Sequence, residues 1–257
     1  MNHGARFRER VAALPAAGGR IHAQPGVVAE IVIDSPDRRN ALSPQMMVAL
    51  RDAASAVAGA RVLLLRGEGG AFCAGGDLGA IRAHLADSGL GAELQAFMND
   101  TLSAIEAAAP VRVAAVMGPA LGGGAELLTA MSFVVASPGA TVGWVQARMG
   151  LSPGFGGAAR LVRQVGERCA MRLLLEARAL GAEEAARAGL VDHVADDPVS
   201  YARDWCEAAA AWPPAVLHAA VEAVRGGPGA EATQFHGLWG GEAHQAALAR
   251  SMVGRRA

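Results

Sequence analysis

Three consecutive glycines, Gly122 to Gly124, stand just before a carboxylate, Glu126. An apolar run, Val113-Ala-Ala-Val-Met117, precedes them. The run reads as a buried strand, and Ala125 to Met131 reads as the start of a helix. Glycines at such a junction let the backbone approach a ligand closely, with N–H groups pointing outward. That arrangement suits an oxygen on which negative charge develops, and Glu126 lies one helical step away as a proton-transfer group. For this stretch alone, a tight turn with a solvated glutamate is the plainer alternative. A second glycine-bearing segment, Ala71-Phe-Cys-Ala-Gly-Gly-Asp77, reads by itself as a loop.

The elements that must hold these groups alternate in type. Val27 to Ile33 and Arg61 to Arg66 read as strands, the latter continuously apolar and so buried on both faces. Between them Ser43 caps a helix that opens on Pro44 and runs to Ala58. Leu78 to Gly91 is less regular, and Glu93 to Ala108 has helical spacing. Short strands follow at Phe133–Ala136 and Thr141–Val145, then a glycine-rich turn over Gly150–Gly157. Three short helices and a strand at Leu190–Val194 come next, and the chain is helical from Pro198 onward. The pattern is α/β with a helical appendage. It implies a flexible N-terminal extension over residues 1–20, a core over 21–196 and a helical region over 197–257.

Composition narrows the classes. The chain has 257 residues, 52% of them apolar, enough for one large core. Basic and acidic residues nearly cancel, 23 against 24, and every basic residue is arginine. A balanced charge argues against a nucleic-acid or anionic-membrane surface. No apolar run reaches membrane-spanning length. Cys73, Cys169 and Cys206 are odd in number and form no Cys-x-x-Cys pair, which fits a reducing, cytoplasmic compartment. His236 and His244 lack a third ligand, so no metal is expected.

Four motifs in fixed order carry a resemblance that spans Gly26 to Arg256. They are Arg39-Asn-Ala-Leu42, Phe72-Cys-Ala-Gly-Gly-Asp77, Ala120-Leu-Gly-Gly-Gly-Ala-Glu126, and Gly150-Leu-Ser-Pro-Gly-Phe-Gly-Gly157 followed by Arg160-Leu161. Together they resemble the enoyl-CoA hydratase/isomerase, or crotonase, superfamily. The resemblance implies a spiral of ββα units with a C-terminal helical trimerisation region, assembled as a homotrimer or a hexamer made of two trimers. It implies an acyl-CoA substrate, with coenzyme A as part of that substrate and no permanently bound cofactor. It assigns the N–H groups of Gly76 and Gly123 to an oxyanion hole for a thioester enolate. It places coenzyme A against Arg38, Arg39, Ala41, Leu42, Cys73, Ala74 and Asp77, and extends a C-terminal basic pair, Arg255 and Arg256, towards phosphate. His84, Trp144 and Phe155 are candidates for the acyl pocket, with core packing the alternative for both aromatics.

One position departs from the pattern. Hydratases of this family use two glutamates; one matches Glu126, and the place of the second holds Gln146. An amide exchanges no proton at neutral pH, although it can orient water. General acid–base groups contribute on the order of 10²–10⁴-fold. The expected chemistry is therefore water addition or removal with one glutamate, with Gln146 orienting the water. The alternatives are double-bond isomerisation through Glu126, and decarboxylation, in which His84 or Arg148 meets the substrate's second carboxylate. A protein that binds acyl-CoA without turning it over is the non-enzymatic alternative.

Overall fold

The computed structural model, which describes residues 3–82 and 87–253, begins with a helix, α1 (His3–Ala12). Ten residues of the expected N-terminal extension are therefore helical. Phe7 and Val11, one helical turn apart, are both buried. The Phe7 ring lies 4.7 Å from that of Phe97, and Arg8 pairs with Asp52. Two apolar side chains at helical spacing dock a segment whose composition reads as polar.

A six-stranded sheet forms the frame. β1 (Arg20–Gln24) is a five-residue edge strand with Ile21 and Ala23 half-buried between exposed polar residues, and it runs antiparallel to β2 (Val28–Asp34). α2 (Pro44–Ala56) follows, with Ser43 Oγ accepting from the Met46 N–H at 3.2 Å. β3 (Val62–Gly67), α3 (Leu78–Arg82) and α4 (Ser88–Ala108) come next. α4 starts five residues before the expected Glu93, because the Asp87 carboxylate caps it at Leu90 N–H. β4 (Val111–Val116) is buried at every residue, as a central parallel strand must be.

Beyond β4 the chain makes β5 (Pro119–Leu121), α5 (Gly123–Leu128), β6 (Phe133–Ala136) and β7 (Thr141–Gly143). Then follow α6 (Gly157–Val165), α7 (Glu167–Glu176), β8 (Leu180–Gly181), α8 (Ala182–Arg187), β9 (His193–Val194) and α9 (Pro198–Ala210). The large sheet has the order β1-β2-β3-β4-β6-β9 and is parallel after its first pair. A small second sheet, β5-β7-β8, carries the chain out of the first at the glycine-rich junction.

The chain divides into two compact units at 206/207. The first half of α9 belongs to the first unit: Ala202 and Cys206 are buried, and Trp205 stacks on Phe133. The second unit contains α10 (Pro214–Arg225), α11 (Ala230–Leu238) and α12 (Glu242–Val253). There Trp239 is exposed, with Phe235 and His244 against its ring. No helix among the described residues is long and apolar enough to cross a membrane.

Asn40 fixes the segment that leads into α2. It is fully buried with φ 58°, and its side chain accepts from Ser35 N–H while donating to the carbonyls of Glu68 and Ala71. Asn40→Ala strands all three backbone groups and keeps a non-glycine residue in the left-handed region. The expected cost is about 3 kcal/mol or more, since each stranded buried group costs about 1–3 kcal/mol. Urea denaturation checks this, and a loss below about 1 kcal/mol would contradict it.

Candidate active site

Three segments that are distant in sequence are laced into one surface. Leu42 N–H donates to Gly75 O at 2.7 Å, and Asp77 N–H donates to Leu42 O at 2.8 Å. Ala74 N–H donates to Arg39 O. Cys73 N–H donates to Pro119 O, and Leu121 N–H returns a bond to Cys73 O, each at 3.0 Å. The motifs at 38–42, 72–77 and 119–126 thus form one continuous ladder.

Close packing at this ladder explains its glycines. A Cβ on Gly124 would lie 2.0 Å from Cys73 O, so the Cys73 carbonyl occupies the space that any side chain there needs. Gly75, at φ 99°, brings its Cα beside the start of α5: a Cβ there would lie 3.4 Å from Gly123 N. The first helical bond of α5 runs from Glu126 N–H to Gly122 O, so Gly123 N–H precedes the helical ladder. No protein acceptor among the described residues takes the N–H of Gly76 or Gly123. Two amides on adjoining segments are the elements an oxyanion requires.

Glu126 sits inside a closed cradle. Its Oε1 accepts from Gln146 Nε2 at 2.9 Å and Gly154 N–H at 3.1 Å. Its Oε2 accepts from Phe155 N–H at 2.8 Å and Gly157 N–H at 2.9 Å. A carboxylate has about four acceptor positions, and these four donors fill them. Burial pushes the Glu126 carboxyl up, while the N–H groups of Gly157, Phe155 and Gly154 and the Gln146 amide oppose it. The four donors leave no acceptor for a carboxyl proton, so the geometry suits the ionised form. Gly157 must be glycine, because a Cβ would meet Glu126 Cγ at 2.6 Å.

Gln146 lies in a 3₁₀ turn, Gln146–Met149, and is buried. Its Nε2 is committed to the carboxylate, which fixes the amide orientation. Its Oε1 then has no hydrogen-bond partner among the described residues. A buried acceptor without a donor is costly, and a ligand or water that supplies an O–H satisfies it.

The remaining expected residues divide. Leu42 and Cys73 are fully buried, with backbone groups engaged in the ladder that holds the loop. Burial pushes the Cys73 thiol up to about 12, so it is no nucleophile. Asp77 caps α3 through the N–H groups of Gly79 and Ala80 and pairs with Arg38. Burial alone would raise its carboxyl, but these donors hold it below the usual range. Arg38 is thereby paired within the site, and its side chain is half exposed. Arg39, with φ 52°, is exposed, and Ala41 and Ala74 are partly exposed beside it. Phe155 is brought to the site: a Cβ on Gly123 would meet its ring at 2.4 Å. Trp144 is buried in the core cluster, with Nε1 unpartnered among the described residues. Arg148 is exposed. His84, Arg255 and Arg256 lie outside the described residues.

The amide cradle at 154–157 and the bonds made by the Asn40 side chain are parts of the structure that motif reading passes over. Gly154, Gly156 and Gly157 signal close backbone approach for the first, but only the fold shows that the N–H groups of Gly154, Phe155 and Gly157 point at Glu126. Asparagine's tolerance of left-handed backbone is a signal for the second.

Comparison with known proteins shows the family. Residues 23–235 match the family model for enoyl-CoA hydratase/isomerase. A Xenopus tropicalis protein named ethylmalonyl-CoA decarboxylase is 32% identical, over 97% of this chain and 89% of its own length. A Mycobacterium tuberculosis protein named as a probable enoyl-CoA hydratase is 36% identical, over 77% of this chain and 78% of its own. The crystal structure of an enoyl-CoA hydratase from Bacillus anthracis superposes with a TM-score of 0.80 at 28% identity, covering 89% of this chain and 94% of that one.

Proposed function

The chain belongs to the enoyl-CoA hydratase/isomerase family, and from that membership we propose that it decarboxylates a short 2-carboxyacyl-CoA through a thioester enolate. The closed cradle around Glu126 carries this reading. Hydration needs a group that takes a proton from water at the start, and Glu126 has all four acceptor positions filled while its partner is an amide. Decarboxylation needs no base at that stage. The bond from the α-carbon to the carboxylate breaks, carbon dioxide leaves, and its electron pair becomes the enolate. The N–H groups of Gly76 and Gly123 stabilise the oxygen on which that charge collects. A water proton then goes to the α-carbon, the hydroxide left behind passes to solvent, and Gln146 Oε1 is the acceptor that orients this water. The name of the Xenopus tropicalis relative supports ethylmalonyl-CoA as the first thioester to try.

A second reading, hydration of a 2-enoyl-CoA, draws on the same acceptor. Water held at Gln146 Oε1 would add to the double bond if Glu126 gave up one donor. The name of the mycobacterial relative supports it. Assembly as a homotrimer or a dimer of trimers belongs to the proposal, and light scattering reads it.

Steady-state kinetics on ethylmalonyl-CoA and crotonyl-CoA separates the two readings. The expected kcat/KM ratio favours the carboxylated thioester by about 10² or more, the typical weight of one missing acid–base group. A ratio that favours crotonyl-CoA overturns the decarboxylase reading.

A further inference from the structure

The loop that cradles Glu126 has two sides. One side turns the N–H groups of Gly154, Phe155 and Gly157 onto the carboxylate. The other turns the carbonyl of Gly156 onto Arg160, whose NH1 donates to it at 3.1 Å. Gly156 has φ 81°, and a Cβ there would lie 2.1 Å from Asn99 Oδ1 and 2.9 Å from Arg160 NH1. No side chain fits between the loop and the guanidinium.

All five N–H donors of Arg160 are engaged. Nε and NH2 donate to the two oxygens of Glu106 at 3.1 and 2.9 Å. NH1 also donates to Asn99 Oδ1 at 3.0 Å, and NH2 to Ser103 Oγ at 2.9 Å. Asn99, Ser103 and Glu106 follow one another at four and three residues, so they share one face of α4. Arg160 itself is buried, at 8% side-chain exposure. Among the described residues two more charged groups reach Glu106: Arg163, 3.5 Å away and exposed, and buried Arg112, whose NH1 donates to the Glu106 backbone carbonyl at 3.0 Å. A planar fork with every donor fixed is a rigid strut between α4 and the loop.

We propose that Arg160, clamped by Glu106, Asn99 and Ser103, is a positioning residue that holds the 154–157 amides on Glu126. Its role in turnover rests on the proposed function; its hold on the carboxylate does not. Donors aimed at a carboxylate favour its ionised form, so slackening the loop weakens the opposition to burial and raises the Glu126 carboxyl further.

The test uses three variants of the full chain: Arg160→Lys, Asn99→Ala, and the double variant Arg160→Gln with Glu106→Gln. The double variant avoids leaving Glu106 without its partner. The first readout is the Glu126 carboxyl infrared band, assigned by difference against Glu126→Gln and followed with pH on the protein alone. The second is kcat and KM for ethylmalonyl-CoA. In the double variant the protonation midpoint of the band is expected to move to higher pH. kcat is expected to fall about tenfold or more with KM within about twofold, and Arg160→Lys is expected to fall between it and wild type. A folded double variant whose band titrates as in wild type overturns the clamp. If the double variant does not fold, an unchanged midpoint in both Arg160→Lys and Asn99→Ala overturns it instead. Failure of wild type to turn over any carboxylated thioester would defeat the proposed function alone, since the infrared readout still decides the clamp.

Discussion

Gln146→Glu is expected to raise hydration of a short 2-enoyl-CoA by about 10²-fold or more and to lower decarboxylation. The argument begins with a single contact, Gln146 Nε2 to Glu126 Oε1 at 2.9 Å. Glutamate there sets one carboxylate oxygen against another. Two carboxylates at such a distance do not both ionise at neutral pH; the pair holds one proton and titrates as a unit. A shared, exchangeable proton is what water addition requires and what the wild-type amide denies. The same change removes the oriented Oε1 that serves protonation of the enolate carbon. The pH–rate profile for hydration becomes bell-shaped.

Stability in this variant follows from the sign of the shift. The pair's second proton is held to a pH above the ordinary glutamate range. Its contribution to stability is present in full below the unfolded-state value and is lost as pH rises through the raised one. The variant is therefore less stable than wild type at neutral pH and recovers on acidification. Loss of enoyl-thioester absorbance and urea denaturation at two pH values read both effects. No gain in hydration in a folded variant would contradict the role given to Gln146.

Gly124→Ala is expected to be the most damaging substitution in the glycine run. Its Cβ would sit 2.0 Å from Cys73 O and 2.8 Å from Cys73 C, both backbone atoms in a ladder bonded on each side. Relief requires parting the 73–77 loop from α5, which also separates the two oxyanion amides. Overpacking of a rigid site costs about 1–3 kcal/mol and sometimes more, and loss of one oxyanion donor costs about 10²–10³ in kcat. Gly123→Ala is the informative comparison. Its Cβ would also be close, at 2.4 Å, but to the edge of the Phe155 ring, a side chain with room to swing. Thermal unfolding and kcat should therefore rank Gly124→Ala below Gly123→Ala, and the reverse order would contradict the packing argument.

The parts legible in the sequence were those fixed by local pattern. Buried parallel strands at β3 and β4, the Ser43–Pro44 helix start and the glycine junction all follow from short-range rules. The substitution at Gln146 was legible because glycines fix the register on both sides. What escaped depends on contacts between distant segments. α1 docks through two apolar residues whose partners lie elsewhere in the chain, including Phe97 about ninety residues on. β1 is an edge strand whose alternation, Arg20-Ile-His-Ala-Gln24, is only five residues long. The ion pair between Arg38 and Asp77 joins two motifs that each looked like coenzyme A contacts. The closed state of Glu126 is the clearest case: a glutamate beside three glycines reads as an available base, and only the fold turns three amides from residues 154–157 onto it.

The measurement that bears most directly on the account is turnover of ethylmalonyl-CoA labelled with ¹³C in its free carboxylate, run in D₂O and followed by NMR and mass spectrometry. The account predicts labelled carbon dioxide and butyryl-CoA in equal amounts, with one deuterium at the α-carbon taken from solvent. Retention of the label, alongside deuterated hydroxyacyl-CoA from a crotonyl-CoA control, would contradict it and leave hydration as the reaction of this site.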